Sequence, residues 1–213
     1  QKSKATGLVP QVLKEQYVAP VFKKGEKTDP ANYRPVVLTS HLIKIYERVV
    51  RKQVVAFLED NELLSSTQHG FRQGRSCLTQ LLHHYDNILR NLCDGAVSDV
   101  LYLDFSKAFD KVDHDILLRK VWNIGIRGKL YNWIADFLRE RRQTVHVDGF
   151  LSFWEYVLSS VPQGTVLGPL LFIIYVNDLG QTVIDALIGC FAEDTRLTKA
   201  IRGESIEADM FLL

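Results

Sequence analysis

Long hydrophobic runs are missing from this chain. No 18 consecutive residues are both apolar and uncharged, so no segment has the length and character of a membrane-spanning helix. The opening stretch QKSKATGLVPQVLKEQ lacks the apolar core of a signal peptide, and a soluble intracellular protein is expected. Cysteine is scarce, and Cys77, Cys93 and Cys190 have no metal-type spacing, which fits small buried thiols in a reducing compartment. Methionine is scarcer still: Met210 is the only one, so the sequence reads as a piece of a longer product. Internal repeats, low-complexity tracts and linker-like composition shifts are also absent.

What is present is enough for a sizeable core. The chain has 213 residues, 46% of them apolar, sufficient for one large domain or two closely packed subdomains. Its net charge of +1 conceals an asymmetry. Residues 1–90 hold 14 Lys/Arg against 8 Asp/Glu, whereas residues 91–213 hold 12 against 17. A basic half beside an acidic half suits a phosphate-gripping surface next to a cation-binding centre, although ordinary surface charge produces the same counts.

Periodicity predicts helices over 41–60 and near 76–92, 113–123, 128–141 and 169–179. In the first, Leu42, Ile45, Tyr46, Val49, Val50, Val54 and Leu58 recur at steps of three and four; in the second, Leu78, Leu81, Leu82, Tyr85, Ile88 and Leu89 form the apolar side. Residues 97–105 read as a buried strand with Asp104 near its end. Two hairpins are predicted, one turning at Asp148-Gly149 and one at Ala192 to Asp194. KKGEKTDPANYRP (23–35) is a turn-rich polar loop. Strands and helices intermix without a regular βαβ repeat, so the fold class is α+β.

Three carboxylates stand out against this background. Asp104 closes the strand in VLYLDFSKAFD, and Glu193 and Asp194 lie in the turn of CFAEDTRL. Strand tips and hairpin turns can present hard oxygen ligands to divalent cations, as two-metal phosphoryl transfer requires. An acid after an apolar strand is more often a cap or turn former. No Ser-His-Asp arrangement is credible, and the adjacent His83 and His84 point in different directions on their helix, which does not make a metal pair.

The ordered set FKKG, DPANYRPVVLTS, QHGFRQGRSCLTQLL, VLYLDFSKAFDKVDH, IRGKLYNWIADFLRERRQTVHVDG, VPQGTVLGPLLFIIYVNDL and CFAEDTRL resembles the reverse transcriptase domain of non-LTR (LINE) retrotransposons, near the jockey-like and chicken-repeat-like group. The resemblance spans about residues 17–199. It implies a right-hand polymerase fold, with fingers over 1–95 and palm over 96–213, a small antiparallel palm sheet packed on helices, and the thumb missing. The implied activity is RNA-directed DNA synthesis from an RNA template, a DNA primer and dNTPs, with two Mg²⁺ ions or, as a substitute, Mn²⁺. Nuclear localisation follows from the same likeness. No specific protein partner and no membrane association are expected.

By that resemblance Asp104, Glu193 and Asp194 are the catalytic metal-binding acids, with the Phe105 carbonyl as a main-chain ligand. Phe109 is the aromatic wall beneath the incoming sugar, which clashes with a ribose 2′-OH; the alternative is plain core packing. Lys23, Lys24 and Arg34 grip the triphosphate, Gln163 supports the nascent base pair, and Gln68, Arg72 and Arg75 contact template or primer. Asp110 is given a structural role.

Two departures point to impaired activity. Glu193 stands where the family turn has Asp, displacing its oxygens by about 1.5 Å. Ser160 replaces a common Gly, which strains the chain if φ is positive there. The alternative is a catalytically inactive nucleic-acid-binding relic. Group II intron or telomerase-like polymerases share the acids but are disfavoured by DPANYRP and GKLYNWIADFL.

Overall fold

The computed structural model describes residues 3, 6–181 and 183–202. In chain order its elements are β1 (Glu15–Phe22), β2 (Tyr33–Leu38), α1 (His41–Asp60), α2 (Cys77–Cys93), β3 (Val97–Leu103), α3 (His114–Asn123), α4 (Gly128–Leu138), β4 (Arg142–Val147), β5 (Phe150–Leu151), β6 (Glu155–Tyr156), α5 (Gly168–Tyr175), β7 (Leu187–Phe191) and β8 (Asp194–Ile201). The α+β expectation holds. None of the described helices is long and apolar enough to cross a membrane.

The chain divides into two compact units that interleave in sequence: the described residues of Gln1–Leu63 with Lys107–Tyr175, and those of Leu64–Ser106 with Val176–Leu213. Neither unit is one continuous stretch of the chain. A helix or strand joins whichever sheet buries its face, regardless of chain order.

The first unit carries a sheet ordered β2-β1-β4-β5, with β6 also on β4. β1 pairs antiparallel with β2 and parallel with β4 (Glu15↔Arg142 to Val18↔Val145). Sequence reading missed β1 and β2 because Pro20 and Pro35 interrupt their patterns; the two prolines sit opposite one another in the register. The Asp148-Gly149 turn forms as expected, with positive φ at both residues, the requirement of a tight hairpin.

Helix α5 (GPLLFIIY) is apolar on every side and buried along most of its length, and Leu117, Leu118, Val121, Trp133, Ile134, Phe137 and Leu138 complete this core. α4 and α5 end earlier than the periodicity suggested, at Leu138 and Tyr175. Glu140 has φ +53, which helical backbone cannot hold, and Arg142 begins β4.

In the second unit, β3-β8-β7 form an antiparallel sheet packed on α2. Ser76 caps α2 in a reciprocal capping box with Thr79. The expected apolar face of α2 turns inward only in part, with Leu81 and Ile88 half-buried. Gln80 and His84 are buried, whereas Leu78, Leu82, Tyr85 and Leu89 are exposed. The sheet explains the choice: β8 meets the helix through Arg196, which donates to Gln80 Oε1 (2.6 Å), and Thr198, which bonds His84 Nδ1 (3.4 Å). Polar partners draw in the polar seam.

α1 shows a similar rotation. Ile43, Glu47, Val50, Val54 and Leu58 are buried, while Leu42, Ile45 and Val49 face outward.

Candidate active site

The register of the three-stranded sheet brings the two acidic segments to one end. β3 and β8 pair from Val97↔Ile201 to Leu103↔Thr195, and Asp104 and Asp194 are the residues that adjoin that last pair. β3 ends at Leu103, and Asp104 stands just past the last pair.

The β7–β8 hairpin closes with Phe191↔Asp194, leaving Ala192 and Glu193 as its two turn residues. Ala192 has φ +56. Positive φ at the first central position alone is the pattern of a turn that favours Gly, so the turn carries strain. Asp104 and Asp194 are exposed and Glu193 is half-buried. Among the described residues, none of the three carboxylates takes part in a hydrogen bond or ion pair.

The three acids are the right donors for a hard divalent cation, and they lack competing basic partners. Among the described residues they do not form a ready-made cage of three ligands. That suits Mg²⁺, which keeps several waters and takes only one or two carboxylates together with substrate phosphates. Their oxygen-donor chemistry is compatible with Mg²⁺.

The segment QHGFRQGRS braces this hairpin from within the same unit. Cys190 N donates to Thr67 O (2.9 Å), and His69 N donates to Cys190 O (2.8 Å). Gln68 is 4% exposed. Its Oε1 accepts from Gly70 N (2.7 Å) and Ala192 N (3.0 Å), and its Nε2 donates to Ala192 O (3.3 Å). A Cβ on Gly70 would lie 2.4 Å from Ala192 N, so only Gly permits this approach.

Arg72 donates to Ser65 O (2.7 Å), and Arg75 donates to the carbonyls of Ser66 and Gln68. The expected template contacts thus include one buried amide and two guanidinium groups with bonds inside their own loop. Arg75 also lines a cleft of about 450 Å³ with His69, His83, His84, Arg196 and Asn87, and no carboxylate is among its lining residues. Burial first, then neighbouring positive charge, holds His69 and His84 below the usual imidazole range.

The residues expected at the nucleotide belong to the first unit. Lys23 and Lys24 lie exposed in the β1–β2 loop, and Arg34 is exposed on β2. Phe109 stacks on Phe172 at 4.2 Å, with the rings 16° from parallel. Burial raises the Asp110 carboxyl above its usual value, opposed by the charges of Lys107 and Lys23. Phe105, expected to lend a carbonyl, is exposed and belongs to the same unit as the acids.

Gln163 is half-buried in the loop between β6 and α5, and its carbonyl accepts from Val37 N (2.8 Å). Gly164 follows at φ +104, with a hypothetical Cβ 2.6 Å from Val37 O. Ser160 does have positive φ, +99.

Sequence reading missed Glu47. It is fully buried, and its Oε2 accepts from Val166 N (2.7 Å) and Leu167 N (2.9 Å), tying α1 to the loop that carries Gln163. Burial raises its carboxyl above the usual value, and those two bonds and the charges of Arg141 and Lys44 oppose the shift. Burial lowers the Arg141 guanidinium to about 10. A charged residue four positions after Ile43 and three before Val50 was the available signal.

Residues 22–207 match the family described as Reverse transcriptase (RNA-dependent DNA polymerase). The chain is 32% identical over 196 residues to the probable RNA-directed DNA polymerase from transposon BS of Drosophila melanogaster, covering 88% of this chain and 22% of that protein. It is 32% identical over 203 residues to the RNA-directed DNA polymerase from mobile element jockey of the same fly, covering 91% and 22%. It is also 30% identical over 178 residues to the group II intron-encoded protein LtrA of Lactococcus lactis, covering 82% and 26%. The chain therefore spans about a fifth to a quarter of the length of these relatives.

Among solved structures, apo telomerase from Candida tropicalis superposes with a TM-score of 0.67 at 9% identity, covering 96% of this chain and 42% of that one. That likeness concerns the fold, a polymerase fingers-and-palm arrangement. The chain belongs to the reverse transcriptase (RNA-dependent DNA polymerase) family and, within it, resembles the domain carried by non-LTR retrotransposons.

Proposed function

We propose that the chain is the fingers-and-palm portion of an RNA-directed DNA polymerase that joins dNTPs to a primer 3′-hydroxyl on an RNA template, with its activity reduced by Glu193. The observation that supports this reading is that Asp104 and Asp194 adjoin the last β3–β8 pair, Leu103↔Thr195, while the adjoining turn adds Glu193, with no hydrogen-bond or ion-pair partner on these carboxylates among the described residues.

Asp104 and Asp194 would hold the divalent cations, with Glu193 and the Phe105 carbonyl at the margin. When bound, Mg²⁺ would lower the pKa of the primer hydroxyl and offset charge on the leaving pyrophosphate. Lys23, Lys24 and Arg34 bind the triphosphate as cations, and Phe109 excludes the ribose 2′-OH with its ring fixed by Phe172. Gln163 supports the base pair from a loop tied to Val37 and, through its neighbours, to Glu47. Arg72 and Arg75 shape the template loop and add positive charge to it. By family likeness the work is done in the nucleus.

Glu193 limits the rate because its added methylene shifts the oxygens by about 1.5 Å. A misplacement of about 1 Å costs on the order of 100-fold in rate. The test compares Mg²⁺-dependent primer extension by the chain in its full-length context with that of Glu193→Asp, which is expected to be faster by roughly 10- to 100-fold. Equal, substantial rates overturn the impairment. Salt-sensitive RNA/DNA binding with no synthesis by either protein would instead select a nucleic-acid-binding relic.

A further inference from the structure

We infer that Gln68 is a positioning residue that fixes the acidic turn, so that its amide, buried away from nucleic acid, sets where Glu193 and Asp194 point. The inference rests on the polymerase reading for its consequence and on geometry alone for the contact itself. Ala192 is held at φ +56 in a two-residue turn, a conformation that a non-glycine residue leaves unless something restrains it.

The restraint has to meet both polar groups of one peptide position: an acceptor for Ala192 N and a donor for Ala192 O. An amide carries both on one planar head. Gln68 supplies them at 3.0 and 3.3 Å, and a further bond from Gly70 N at 2.7 Å fixes its own orientation. The backbone flanking Gln68 is anchored on both sides, with Cys190 N donating to Thr67 O and His69 N donating to Cys190 O. Gly70 has no Cβ to obstruct the turn. The carboxylates are the next two residues of the chain.

Chemistry separates this role from simple packing. A glutamate has the same shape but, when ionised, only accepts, so it faces the Ala192 carbonyl with a second oxygen. When protonated it regains one donor and restores the pair. A leucine fills the space and leaves both Ala192 groups buried without a partner.

The experiment uses Gln68→Glu and Gln68→Leu alongside the wild-type chain. It measures Mn²⁺ affinity by electron paramagnetic resonance and amide hydrogen exchange at Ala192, with Val100 in β3 as a reference. Gln68→Leu is expected to weaken Mn²⁺ binding and speed Ala192 exchange by about 10-fold each, with Val100 little changed. Gln68→Glu is expected to match it at pH 8 and return towards wild type as falling pH protonates the introduced carboxyl. In the full-length context the same variants should lower kcat with dNTP KM nearly unchanged.

Unchanged Ala192 exchange in both variants overturns the proposal. So does equal acceleration at Ala192 and Val100 with no recovery of Gln68→Glu at low pH, which denotes a general packing role. If the wild-type chain binds no Mn²⁺, the polymerase reading fails, and Ala192 exchange alone still decides whether Gln68 holds the turn. If Gln68→Leu does not fold, the pH dependence of Ala192 exchange in Gln68→Glu distinguishes the two roles.

Discussion

Replacing Ser160 with glycine should stabilise the protein, against the usual direction for removing a side chain. Ser160 sits at φ +99, where a Cβ is strained. Its two hydrogen bonds use the backbone: its N–H donates to Val112 O (2.8 Å), and its carbonyl oxygen lies 2.8 Å from His114 Nε2. The hydroxyl takes part in no hydrogen bond among the described residues, so Ser160→Gly loses no contact of that kind. Strain at such a position is worth about 1–3 kcal/mol. The added freedom of an unfolded glycine returns about 0.5–1 kcal/mol. The net gain is about 1 kcal/mol, or roughly 2–4 °C in Tm for a chain of this size.

Differential scanning calorimetry and urea unfolding measure it, and the urea midpoint should rise with the slope unchanged. A matched control has the opposite sign: Gly164→Ala puts a Cβ 2.6 Å from Val37 O at φ +104 and should lower Tm by more than Ser160→Gly raises it. A Tm for Ser160→Gly equal to or below wild type refutes the strain argument.

Glu47 governs a pH effect. Burial raises its folded carboxyl above the usual value, so the folded state holds the proton more tightly than the unfolded one. The stability this confers is present below the unfolded pKa and is lost as pH rises through the folded value. Compared with Glu47→Gln, the wild type should lose ground as pH rises from about 4.5, as read by paired urea melts; a gain over that range refutes the assignment. Glu47→Leu removes the acceptor of two backbone N–H groups and the charge facing Arg141, and should cost about 3–5 kcal/mol. Phe109→Val should raise ribonucleotide incorporation in a Glu193→Asp background and cost about 1 kcal/mol for the lost Phe172 pair; unchanged sugar selectivity removes Phe109 from the nucleotide.

The sequence alone determined what depends on neighbours in the chain. Helix α1 spans the 41–60 that its pattern predicts, the Asp148-Gly149 turn forms where that dipeptide permits positive φ, and β3 ends at Leu103, two residues short of its expected limit. Turn chemistry, capping and periodicity act over a few residues and so can be read locally. Tertiary structure decided which face each element buries and what each polar group meets. α2 turned its polar seam inward because Arg196 and Thr198, more than a hundred residues away, required partners. Gln68 found its bond 124 residues along the chain, and Glu47 its bonds 119 and 120 away. A helical pattern shows that two faces differ, but only the opposing surface selects between them. A buried amide or carboxylate has many equivalent partners in sequence, and the fold leaves it one set.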